Sequence, residues 1–195
     1  MQSKEESSLK KEFQKILKPT KSTLFIVVPL FVLTLFYSFF YTENTFQLVS
    51  LLLVSIFITL SSIQDFQEKM VFTYLLNATA ISSIFYIDTP NLNTNFYYIS
   101  MVVDNIFKGL LIMLFMGFLA KTMSIVLNKQ SMGSGDYPIF FAMIILCGIQ
   151  TPKAFIIMSL TAIMYKIITK EETIPLIPFM FVGIVSSLYL GVFNV

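Results

Sequence analysis

The sequence predicts an all-α fold: a polytopic membrane helix bundle of about seven transmembrane helices. Three observations predict it. Of the 195 residues, 56% are hydrophobic and 12% charged, against about 45–50% and about 25% in ordinary soluble domains. The mean hydropathy is +0.79. Apolar runs follow one another almost without break from Thr23 to Val195, so the bilayer rather than an aqueous core is the main solvent.

Residues 1–22 carry six lysines, with Leu9, Phe13, Ile16 and Leu17 at helical spacing opposite Lys10, Lys11, Lys15 and Lys18. The pattern suits an amphipathic helix on an anionic membrane surface, or a solvated basic tail that only fixes orientation. Pro19 ends it. The first span is about Thr23–Tyr41. Its basic flank resembles a signal peptide, but the apolar stretch is long and lacks a small-residue cleavage site, so an uncleaved helix is expected. A polar turn at Thr42–Thr45 leads to a second span, about Phe46–Ile63, which runs into Gln64-Asp65-Phe66-Gln67-Glu68-Lys69. A third is expected from Met70 to Ile87, and an exposed loop from Asp88 to Asn105, rich in Asn and Thr. The fourth, about Ile106–Leu127, carries Lys108 and Lys121 near its ends, where long side chains reach the headgroups. After Gly-Ser-Gly-Asp comes a short fifth span, about Tyr137–Ile149. Thr151-Pro152 turns the chain into a sixth, about Lys153–Ile168, and Pro175 and Pro178 open a seventh.

Composition excludes several chemistries. All thirteen basic residues are lysines and the net charge is +2, so no arginine-rich surface exists to bind nucleic acid. The chain has no histidine, which removes Ser-His-Asp and Cys-His catalysis and every His-based metal site. The single cysteine, Cys147, lies in an apolar run and reads as a small buried hydrophobe. No metal and no cofactor is expected.

Lysine placement orients the chain. With a cytoplasmic N-terminus, the six tail lysines and Lys69, Lys121, Lys129, Lys166 and Lys170 face the cytoplasm, leaving Lys108 and Lys153 outside. Asp65 follows span two and Asp136 precedes span five, so both fall at the cytoplasmic face. These two acids are the best candidates for chemistry. Two carboxylates close together in a low-dielectric site share a proton, letting one act as general base on water while the other donates to a carbonyl. Gly133, Ser134 and Gly135 permit the sharp turn and close backbone approach that such a site needs. Each aspartate also has a plainer role open to it: Asp136 as the cap of span five, with Pro138 in its first turn, and Asp65 as an interfacial acid beside Glu68 and Lys69.

Asp65 at the end of one span, the Gly133–Asp136 run opening a later one, and Ile174-Pro175-Leu176-Ile177-Pro178-Phe179 before the last together resemble the type IV prepilin peptidases and preflagellin peptidases. The resemblance covers about Phe46 to the C-terminus. It divides the chain into a basic cytoplasmic tail (1–22), an additional N-terminal helix and turn (23–45) and a six-helix membrane aspartic protease domain (46–195). It implies an endopeptidase of the cytoplasmic membrane that removes the basic leader from prepilin-like or preflagellin-like precursors at the cytoplasmic face. Asp65 and Asp136 would be its catalytic pair, with Pro175, Pro178 and Phe179 as the proline element. The chain departs from the pattern at Glu68-Lys69-Met70-Val71, where basic residues and an Ile-Pro-Asn-like start are usual, and at Pro138, where a lysine is usual. It also lacks the Cys-x-x-Cys zinc insert of the larger members, which many of them carry alongside N-methylation of the new terminus.

Three other readings stay open. Presenilin-like intramembrane proteases also use Gly-x-Gly-Asp, but pair it with Tyr-Asp and Pro-Ala-Leu, where this chain has Gln64-Asp65 and Pro-x-x-Pro. A transporter could use the aspartates as an ion or proton site. A Ser-Lys protease on Lys121 and Ser124 is formally allowed by their spacing.

Overall fold

The computed structural model describes residues 21–42, 44–69, 71–86, 95–127, 136–170 and 174–193. Residues 1–20, where the amphipathic tail is expected, lie outside them. Among the described residues there are no strands, and seven α-helices follow in order. They are α1 (Lys21–Tyr41), α2 (Thr45–Glu68), α3 (Thr73–Ile84), α4 (Asn95–Leu127), α5 (Asp136–Cys147), α6 (Thr151–Thr169) and α7 (Leu176–Phe193).

Four stretches are long and apolar enough to cross a membrane: Thr23–Tyr41, Thr45–Glu68, Tyr98–Phe115 and Asp136–Thr169. The last is α5 and α6 taken together with the 3-10 turn Gly148–Gln150 between them. That run is bent back on itself: Gly148 has φ +49, and the rings of Phe140 and Phe155 stack with centroids 5.4 Å apart. Fifteen residues of unbroken helix would separate them by about 22 Å along the axis. The turn expected near Thr151-Pro152 is therefore present, moved slightly earlier because glycine alone accepts the left-handed conformation readily.

Two expected boundaries are corrected. The third helix, expected over Met70–Ile87, is only the 12 residues Thr73–Ile84, about 18 Å against the roughly 30 Å hydrocarbon core. The loop expected over Asp88–Asn105 is helical from Asn95 onward. Asn105 ties the two elements together: its Nδ2 donates to the carbonyls of Ile84 and Tyr86, at 3.3 and 3.0 Å. A polar side chain that reads as loop in the sequence instead satisfies carbonyls left over at the end of α3. Asp104 and Lys108, one turn apart, form an exposed ion pair on the same helix.

α2 supplies the central seam. Asn44 caps it, its side chain accepting from the Gln47 N–H at 2.7 Å. Gln47, Leu51, Val54, Ile58, Ser61 and Asp65 are all buried and recur at helical spacing, so one stripe runs the full length and ends on Asp65. Phe46, Val49, Leu53 and Ile56 lie on the outer side and are exposed. The seam meets α1, α3 and α7. Small polar residues draw the helices together: Ser50 Oγ donates to the Ser82 carbonyl on α3 at 2.6 Å, and Tyr189 on α7 donates to the Leu33 carbonyl on α1 at 2.8 Å. α1 thus belongs to the same bundle as the rest. α7 packs against α1, α2, α5 and α6, with Met180, Phe181 and Ile184 buried.

The α6–α7 contact depends on Gly183. A Cβ there would stand 2.6 Å from the Ala154 carbonyl oxygen, a backbone atom that cannot step aside. Gly183→Ala is expected to destabilise the bundle by about 1–3 kcal/mol, read as a lower unfolding temperature in detergent; an unchanged transition would contradict this packing.

Candidate active site

Asp65 lies within the last turn of α2, at the end of the buried seam, and is 8% exposed. The helix continues through it to Glu68, so Gln64-Asp65 is not a turn, and the acid is held by helix packing. Chain reversal comes immediately after. Lys69 adopts the left-handed conformation, φ 54, and its N–H caps the Asp65 carbonyl at 3.0 Å. The side-chain oxygen of Gln64 then accepts from the Phe72 N–H at 2.9 Å, tying the start of α3 to the end of α2.

The principal partner of Asp65 comes from α7. Its Oδ2 accepts a hydrogen bond from the Ile177 N–H at 2.9 Å, in a buried position. The Leu176 N–H adds a second, weaker backbone interaction. The proline element explains why these two donors serve the carboxylate. A helix N-terminus has N–H groups without intrahelical partners. Here Pro175 precedes the helix and Pro178 occupies its third position, and neither has an N–H. Leu176 and Ile177 are the donors left over, and Asp65 accepts from Ile177, at the helix end that favours negative charge. Pro175, Ile177, Pro178 and Phe179 are all buried. Phe179 completes an aromatic group with Tyr165 of α6 and Phe66 of α2, at centroid separations of 5.2 Å to Tyr165 and 6.4 Å to Phe66. Three helix ends are thereby locked around Asp65.

Asp136 is the first residue of α5 and is partly exposed. It therefore occupies the helix-start position open to it from sequence. It also lies within electrostatic reach of Asp65, as does Lys69. The two acids singled out from the sequence thus sense each other electrostatically, although α2 and α5 do not pack directly against one another: α7 lies in contact with both. Gly133, Ser134 and Gly135 lie outside the described residues. Pro138 and Phe141, in the first turns of α5, line an open apolar cavity of about 260 Å³ with Asn77, Ile81, Ile84 and Met113. No group of three or more His, Cys, Asp or Glu residues that could hold a metal occurs among the described residues.

Sequence reasoning missed Gln64, the Ile177 N–H and the Phe66–Tyr165–Phe179 group. One signal was available: prolines three apart at a helix start delete N–H groups and leave a fixed pair facing whatever acid packs there. No protein-family model, no curated protein and no solved structure matches the chain. Class is therefore defined by fold alone: an all-helical protein with four stretches long and apolar enough to cross a membrane.

The Asp65 bond predicts a graded response. Asp65→Ala leaves the Ile177 N–H buried without an acceptor and is expected to destabilise the protein by about 1–3 kcal/mol. Asp65→Asn keeps an acceptor oxygen and is expected to lose less than half of that. Thermal unfolding in detergent measures both; equal losses would contradict the cap.

Proposed function

We propose that this chain is a membrane aspartic endopeptidase that removes the leader peptide from prepilin-like precursors at the cytoplasmic membrane face, with Asp65 and Asp136 as its catalytic pair. The observation that carries the reading is that these two acids, one buried and one partly exposed, lie within electrostatic reach of each other on helices far apart in sequence. The sequence resemblance supports it through the same two residues and through the proline element, whose Ile177 N–H holds Asp65. In this reading the N-terminus lies in the cytoplasm, as the lysine distribution favours.

The chemistry needs no metal or cofactor. One carboxylate takes a proton from water as the water oxygen attacks the scissile carbonyl, while the other, protonated, donates to the carbonyl oxygen. Collapse of the tetrahedral intermediate breaks the C–N bond: the proton gained by the first carboxylate passes to the leaving amine, and as the carbonyl reforms a hydroxyl proton returns to the second carboxylate. Burial of Asp65 keeps the pair in a low-dielectric setting where a single shared proton is favoured over two charges.

A second reading, an ion or proton site in a transporter, draws on one observation: a carboxylate only 8% exposed inside an apolar bundle. Co-expression with a prepilin-like precursor separates the two. Asp65→Asn and Asp136→Asn are each expected to reduce cleavage by about 10²–10⁴-fold while the protein stays in the membrane. Unprocessed precursor with wild type, together with aspartate-dependent cation or proton flux in proteoliposomes, would instead establish the transporter. For the peptidase, kcat/KM is expected to be bell-shaped in pH, because activity requires one carboxylate protonated and the other ionised. A profile flat across the acidic range would contradict a shared proton.

A further inference from the structure

The buried hydroxyls of the bundle divide into two groups. Most are satisfied within the backbone: Ser55 donates to the Leu51 carbonyl at 2.6 Å, Thr34 to Leu30 at 2.7 Å, Ser38 to Thr34 at 2.8 Å and Thr79 to Leu75 at 2.9 Å. Four differ, Thr59, Ser61, Ser62 and Ser187, and of these Ser61 and Ser62 are adjacent on α2. Both are 0% exposed, and neither Oγ has a hydrogen-bond partner among the described residues. A buried hydroxyl without a partner carries a desolvation cost of about 1–3 kcal/mol. Adjacent orphans of this kind are what buried water satisfies in folded proteins.

Their position gives the pair a role. Ser61 and Ser62 precede Asp65 by four and three residues, on the same buried face of α2. Helical side chains lean toward the N-terminus, so the Asp65 carboxylate overlies the turn that bears both hydroxyls. Its Oδ2 is committed to the Ile177 N–H, and it forms no direct bond to either serine. Two hydroxyls and a carboxylate offer a water both donors and acceptors, within the 2–4 partners an ordered buried water typically uses (about 3). A bound cation fits poorly: hard cations call for about six oxygens, and the Lys69 charge already acts on Asp65.

We propose that Ser61, Ser62 and Asp65 hold a buried water molecule one helical turn beneath the Asp65–Asp136 pair, with the two serines acting as positioning residues for Asp65. The site itself follows from the orphaned hydroxyls; its effect on cleavage rests on the peptidase reading above. The water fixes the orientation of the Asp65 carboxyl against the pair, and the serines touch neither substrate nor reacting atoms.

Infrared difference spectroscopy on the full chain in lipid nanodiscs tests the site, with the Asp65 carboxyl band assigned by its loss in Asp65→Asn and buried water assigned by its shift in H₂¹⁸O. The expected result is that Ser61→Ala/Ser62→Ala abolishes the isotope-sensitive water band and shifts the Asp65 band, whereas Ser61→Thr/Ser62→Thr preserves both. In parallel, the alanine pair is expected to lower kcat for precursor cleavage by up to about 100-fold with KM unchanged, and the threonine pair to restore it. If wild type cleaves no precursor while the bands respond as described, the peptidase reading falls and the water site stands. Bands unchanged in the alanine pair, or an Asp65 band in wild type that shifts on adding sodium, overturn the proposal.

Discussion

The hydrogen bond from the Ile177 N–H to the Asp65 carboxylate joins residues 112 positions apart, and the geometry of the site depends on it. It fixes where α7 begins, because Pro175 and Pro178 remove the neighbouring N–H groups and leave the helix end to be satisfied from α2. It also fixes which way Asp65 points. The aromatic contacts among Phe66, Tyr165 and Phe179 hold the same three helix ends together from the other side. An acid held this firmly is either a structural cap or a preorganised catalytic group, and the same bond serves both. Asp136 and Lys69 both lie within electrostatic reach of that acid.

The seam on α2 explains how polar groups survive at that depth. Apolar burial gives little net attraction between helices in lipid, so close packing and interhelical hydrogen bonds do the joining. Ser50 reaches α3, Tyr189 reaches α1, and Gly183 lets α7 touch the backbone of α6. α4 packs on α5 and on the end of α3 with one side, and leaves Leu110, Leu111, Leu114 and Phe115 exposed on the other, an outer surface that suits lipid. α7 is thus the element that joins α2, which carries Asp65, to α5, which carries Asp136.

The helical class was legible in the sequence because it is written locally, in apolar runs of span length. Boundaries were less legible. Residues 95–105 look like a loop by composition, yet Asn105 spends its amide on the end of α3, a tertiary partner that no local pattern announces. The continuation of α2 through Asp65 was hidden for the same reason, since a charged residue after an apolar run ordinarily marks an exit from the membrane. Pro175 and Pro178 were recognised as a motif, but their physical meaning, the deletion of competing donors, emerges only once Asp65 is seen against α7. Ser61 and Ser62 read as ordinary small residues until their hydroxyls are found without partners.

Coupling between the two acids tests the account most directly. In a double-mutant cycle on precursor cleavage, Asp65→Asn and Asp136→Asn are compared singly and together. Groups that act as one catalytic unit give strongly non-additive losses. The account predicts that the double variant is no slower than the slower single variant; losses that multiply, as they would for two independent sites, would contradict it.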